Sequence, residues 1–310
     1  DAHCGANCNA NIPAATTLRG ILMEAGYTGT ISQAPGATIS IGIKGHRQYG
    51  GTFLGSDAAI TIDGPVQLQG GTFRSTSGIL YSRSNVSIAN TFQHNGGTWR
   101  FSAPYLATRT LSLGATAFRH VTFYSNNGFD AYTLTITGTP SVLGDLEFQR
   151  MNATNSGTLN GGTLLVHGNI TVQASNYLGS MAVRLVGDSD QTVPATTATS
   201  HVPNLEIAST GGIVSITGTP VLFRNFTHTT GTVSLTAPSV TLLGAYNSTY
   251  TFNAPTIAFN DVAINSANAH DIVTYNFVGE LNVNGNLTLS STSVASSLNS
   301  GTIRVRGNLA

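Results

Sequence analysis

The sequence predicts an all-β fold, a parallel β-solenoid, and three observations predict it. The first is a recurring phrase, Val-x-Gly-Asn/Asp-Ile/Leu. It stands at Val142-Leu143-Gly144-Asp145-Leu146, Val166-His167-Gly168-Asn169-Ile170, Val283-Asn284-Gly285-Asn286-Leu287 and Val305-Arg306-Gly307-Asn308-Leu309. The outer pairs are 24 (166 − 142) and 22 (305 − 283) residues apart, and the gap between them, 117 (283 − 166), is close to five such steps. A fixed step of about 20–25 residues marks a solenoid in which each step stacks on the last. The second is Gly-Gly-Thr-aromatic at Gly50-Gly51-Thr52-Phe53, Gly70-Gly71-Thr72-Phe73 and Gly96-Gly97-Thr98-Trp99, with an aliphatic version at Gly161-Gly162-Thr163-Leu164. Its steps of 20 (70 − 50) and 26 (96 − 70) bracket the same coil length. The third is period-two alternation in short runs, from Ile39 and Ile41, through Ile60 and Ile62, to Leu281 and Val283. That period places the apolar residues on one strand face and Thr, Ser, Arg or His on the other.

The recurring phrase could be a two-residue hairpin turn or a coil corner. A hairpin needs positive φ at both central residues, which Leu143, His167 and Arg306 tolerate poorly. A corner needs one such residue, and glycine supplies it, so the corner is the better reading.

Taken in order, residues 1–30 read as a cap. Residues 13–26 are the one convincing helix, with Leu18, Ile21, Leu22 and Ala25 at helical spacing, Thr16 or Thr17 to cap it and Gly26 to close it. Such a helix suits the cover of a first coil whose strand edges would otherwise recruit other chains. Cys4 and Cys8, the only cysteines, are expected to be bonded to each other, in an oxidising compartment. A start without Met and without an apolar targeting run looks like a mature secreted product.

Residues 31–310 are expected to form the solenoid, on the order of twelve coils of 20–26 residues. They contain a duplicated unit of about 140 residues: 118–146 parallels 259–287 at an offset of 141. Residues 302–310 stop inside a repeat, with no segment following to blunt the coil. An uncovered coil offers unpaired backbone groups and an open apolar core. Ile303, Val305 and Leu309, with Leu18, Ile21 and Leu22 of the cap, are therefore the expected assembly residues. Either the natural chain continues or copies dock head to tail into a filament, and docking is the preferred expectation.

Composition excludes several functions. The 13 basic and 13 acidic side chains cancel, and Lys44 is the only lysine, so there is no basic stripe for nucleic acid or anionic lipid. No run approaches the ~18 apolar residues of a spanning helix, so no membrane insertion is expected.

Residues 161–172, the run Val186-Gly187-Asp188-Ser189-Asp190-Gln191-Thr192-Val193, and residues 281–289 resemble the repeats of very large secreted bacterial surface proteins. The resemblance is to filamentous-haemagglutinin-like adhesins and related autotransporter passengers, and it covers roughly residues 110–310. It implies a right-handed parallel β-helix, an extracellular or cell-surface location and an adhesive role toward glycans or a matrix. The amino-terminal secretion cap of that family is not recognisable in residues 1–60.

Parallel β-helices also carry polysaccharide lyases and hydrolases, which need paired carboxylates or carboxylate-bound Ca²⁺ with a basic residue. Asp145 and Glu147 share a strand face, yet Asn286 and Thr288 stand at the matching positions, so a solvated face is the simpler reading. Asp188 and Asp190 fit Asx turns as well as they fit calcium. His167 occupies a position taken by Leu143, Asn284 and Arg306 elsewhere, and reads as surface rather than ligand. The six Asn-x-Ser/Thr sequons, at Asn85, Asn152, Asn169, Asn225, Asn247 and Asn286, follow from an Asn- and Thr-rich composition. Outward Thr-x-Thr steps do not stay in register from coil to coil, as an ice-binding face would require. No catalytic, cofactor or metal residues are expected. The sequence points to an extracellular structural or adhesive protein that self-associates end to end; a carbohydrate-active enzyme on the same fold is the alternative.

Overall fold

The computed structural model describes residues 7–89, 92–104, 106–125, 132–150, 157–173, 179–194, 201–218, 221–236, 239–244, 248–266, 273–290 and 296–310. Among them the chain is a parallel β-solenoid of about 11 turns, with no helix. It divides into two units, Asp1–Leu165 and Val166–Ala310.

In the first unit the coils after Gln48 contribute three short strands each, whereas the first two carry one long bent strand, Thr16–Met23 or Ile39–Gln48, in place of two short ones. Thr52–Leu54, Ile60–Ile62 and Val66–Leu68 make one coil, and Thr72–Arg74, Ile79–Ser82 and Val86–Ile88 make the next. Like residues stack from coil to coil: Phe53 on Phe73, Ile60 on Leu80 and Val66 on Val86. Alternation sends Phe53, Ile60, Ile62 and Leu68 inward, where each is fully buried. The stacked rings of Phe53 and Phe73 lie 4.9 Å apart, and those of Phe123 and Phe148 lie 5.7 Å apart. Offset aromatic stacks of this kind add roughly 0.5–1.5 kcal/mol each beyond their burial. The aromatic that follows each Gly-Gly-Thr corner is thus a core residue, Trp99 included.

The second unit uses the same registers. Phe118 pairs with Val142 and Val121 with Leu146 in the first unit; Phe259 pairs with Val283 and Val262 with Leu287 in the second. Each of these positions differs by 141 between the units.

Two expectations are corrected. The helix expected at 13–26 is instead the strand Thr16–Met23, paired in parallel with Ile39–Gln48. A bulge between Leu18 and Gly20 displaces the alternation by one residue. The inward positions beyond it are Ile21 and Met23, while Leu22 is 60% exposed. An inward Leu18 followed three residues later by an inward Ile21 imitates helical spacing. Among the described residues the cap is therefore the first coil itself, covered by no helix.

The second correction concerns the glycine of the recurring phrase. It does mark a coil corner: Leu143 and Gly144 donate their N–H groups to Phe118 and Arg119 one coil earlier, as Asn284 and Gly285 do to Phe259 and Asn260. Positive φ is not the reason, because Gly144 and Gly285 are not among the residues with that conformation. The reason is closeness: a Cβ on Gly144 would stand 2.7 Å from the Arg119 carbonyl oxygen. The glycine lets one coil rest on the last.

Candidate functional site

The polar chemistry of the described residues runs between coils. Arg83 and Asp63 lie 3.2 Å apart, Arg184 and Glu206 2.7 Å, and Arg304 and Glu280 2.6 Å. These partners are 20, 22 and 24 residues apart, one coil each. Asx side chains do the same for backbone. Asn85 accepts from the Thr110 N–H at 2.9 Å, Asn169 from Thr192 at 2.9 Å, Asp190 from Ile213 at 2.8 Å and Asn286 from Asn308 at 2.9 Å. The sequon asparagines among these, and Asn225 with its 2.6 Å bond from Thr251, hold the next coil in place. Asn152 and Asn247 lie outside the described residues.

The acidic candidates separate. Glu147 is half-buried and accepts from the Thr122 hydroxyl at 3.2 Å. Asp145 is exposed; its N–H donates to Nδ1 of His120 at 3.0 Å, and its carboxylate lies 3.7 Å from the same nitrogen. Asp261 does the work of His120 in the second unit, accepting from the Asn286 N–H at 2.6 Å. The Asp145 side of the pair is thus part of a corner. Asp190 holds a coil, and the exposed Asp188 accepts from Ser189 at 3.2 Å. His167 is exposed. No group of three or more His, Cys, Asp or Glu converges among the described residues.

The expected assembly residues take different environments. Ile303 and Val305 are half-buried and Leu309 is 67% exposed, whereas Leu281 and Val283, which pair with Ile303 and Val305, are each 1% exposed. Leu18 is half-buried and Ile21 belongs to the core, so the three cap residues do not form one face. Cys8 is disulfide-bonded, and Cys4 lies outside the described residues.

Three features were not read from the sequence. His46 is fully buried against Phe53 and Phe73, with ring centroids 5.2 and 5.0 Å away, and its Nε2 lies 3.2 Å from Oε1 of Gln48. Burial pushes its pKa down to about 4. The signal was its inward place in Ile39–Gln48, concealed by the same bulge. In the second unit, burial lowers the pKa of Arg224, opposed by the neighbouring Tyr250 and Tyr275 hydroxyls, while burial raises that of Tyr275. In the first unit the Arg100 guanidinium lies 4.7 Å from the Tyr124 ring centre, and Arg83 lies 4.8 Å from that of Tyr81.

The third feature is a groove of about 400 Å³ in the second unit. Thr232, Val233 and Leu235 form one wall, and Thr256, Ile257 and Ala258 the other. His228 joins the two. Its Nε2 donates to the Gly231 carbonyl at 2.9 Å, and its Nδ1 lies 2.8 Å from the Thr256 hydroxyl. With both nitrogens engaged, His228 acts as a strut between the walls.

Comparison with protein-family models, curated proteins and solved structures finds no match.

Proposed function

We propose that this chain is a non-enzymatic extracellular scaffold, a surface or matrix protein in the style of the secreted bacterial solenoid adhesins that its repeats resemble. The observation that carries the reading is the use of its charge. In a chain with few ionisable groups, three Arg–carboxylate pairs among the described residues each join one coil to the next, and Asx side chains hold the backbone of the adjacent coil. Catalytic sites instead gather such groups against a substrate. On this reading the flanks meet a glycan or matrix surface. The coil of Thr302–Val305, where Ile303 and Val305 are half-exposed, docks on a second copy.

Electron microscopy and sedimentation of the purified chain over rising concentration test the assembly, and reducing-sugar release from a broad polysaccharide panel tests the absence of catalysis. The expected result is end-to-end growth that Ile303→Asp abolishes, with no sugar released. Dispersed particles at every concentration would remove the filament from the proposal, and sugar release would replace the scaffold with an enzyme.

A further inference from the structure

We infer that the groove between residues 232–235 and 256–258 binds an extended peptide segment of another protein by adding it as a strand. This goes beyond the scaffold reading and does not depend on it.

The argument starts from pairing. Residues 232–235 lie beside Ile213–Ile216 of the preceding coil, with Val214 opposite Val233 and Ile216 opposite Leu235. On the other edge no described strand pairs with them. The strand Val221–Leu235 meets the next coil only through residues 221–223 and 226–227. The segment across the groove from residues 232–235 leads into the strand Ala258–Phe259, which pairs onward with Glu280–Val283. The sheet is therefore interrupted here, and the groove is the interruption.

The open edge has a defined phase. Thr236 donates its N–H to the Ile216 carbonyl at 3.1 Å. In a parallel ladder alternate residues bond to opposite neighbours, so Thr232 and Ser234 turn their backbone groups to the same side as Thr236. Val233 and Leu235 turn theirs to the groove. Two N–H and two C=O groups, repeated about 6.6 Å apart along the strand, form the template that an extended peptide matches. The side chains agree with it. Val214 and Ile216 are fully buried, but Val233 and Leu235, which face the same way, are only half-buried. A strand on the open side would complete their cover as the following coil, Val233 and Leu235 themselves, completes that of Val214 and Ile216. The occupant is thus an extended segment with apolar residues at alternate positions. A glycan offers no such repeat of backbone donors and acceptors. Every described strand of this chain already belongs to a sheet, so a described strand of a second copy would have to leave its own sheet to supply the segment. An extended stretch of another protein fits without that cost.

The test uses the full chain and a fluorescein-labelled peptide copying residues 212–217, whose alternation already matches residues 232–235 on the paired edge. Fluorescence anisotropy should show saturable binding. N-methylation of one set of alternate peptide amides should weaken it at least tenfold, and methylation of the other set should leave it within twofold. Ala258→Phe, at an exposed lining position, should abolish binding without changing the melting temperature; Thr232→Phe repeats the test from the opposite wall if the first variant misfolds. No saturable binding, equal loss with both methylation patterns, or binding indifferent to whichever groove variant folds would each overturn the inference. So would binding of maltohexaose in place of the peptide.

Discussion

His46 is the side chain whose chemistry is most at odds with its place. It faces inward at a position where its stacking partners are Ile21 and Val66. Its pKa is about 4 in the fold against 6.5 for an ordinary histidine. The fold therefore favours the neutral ring. That contribution is fully present above pH 6.5 and is lost as pH falls from 6.5 through 4, where the unfolded chain takes up a proton and the folded chain does not. A difference of this size amounts to about 3 kcal/mol. Thermal melts between pH 7.5 and 4 should show a stability loss of that order in the native chain and a shallower one in His46→Leu. Parallel curves for the two proteins would show that His46 does not set the acid limit. The histidine was visible in the sequence, but its burial was not. The strand Ile39–Gln48 turns a corner, and its inward residues Ile41 and His46 are separated by an odd number of positions.

At the scale of the element, the corners decide what was legible. Straight strands announced themselves by alternation, and Ile60, Ile62, Val214 and Ile216 all lie in the core as their spacing implied. Where a strand bends, alternation shifts, and the first coil read as a helix for that reason. Gly45 sits on this bend with φ of +73°, and a Cβ there would collide with the Pro65 carbonyl. Gly26 has open space around it. Gly45→Ala should cost about 2–4 kcal/mol, from backbone strain plus displacement of the neighbouring coil, while Gly26→Ala should stay within about 0.5 kcal/mol. Urea midpoints for the two variants check both; equal midpoints would mean that the corner relaxes freely. The groove was illegible for a different reason. It arises from which strands fail to meet, a property of the register between coils that no local spacing encodes.

For the whole molecule, connectivity was not legible: nothing in the sequence said that Arg184 would find Glu206 one coil away. Because each coil touches chiefly its neighbours, stability is a sum of local coil terms and interfaces, and all-or-none unfolding is not required. Trp99, the only tryptophan, is buried in the first unit, its indole N–H donating to Ser82 at 2.9 Å and its ring 5.1 Å from Phe101. Its fluorescence reports the coils around it, whereas far-ultraviolet circular dichroism reports all of them. Urea transitions followed by the two signals should differ in midpoint. Superimposable curves would establish a single cooperative unit.

The asparagines that hold successive coils have a consequence for chemical ageing. Asn85 and Asn286 act through their side-chain oxygen, and Asp190 and Asp261 carry out the same task with a carboxylate. Hydrolysis of either amide to aspartate leaves an acceptor for the same bond, since a carboxylate oxygen accepts as well as an amide oxygen does. Asn225 is different, because its amide nitrogen also donates to Asn204 at 2.6 Å, and a carboxylate cannot donate. Asn85→Asp should therefore melt with the native chain and Asn225→Asp below it. If that order holds, slow deamidation would leave the corner at Asn85 intact and loosen the strand at Asn225.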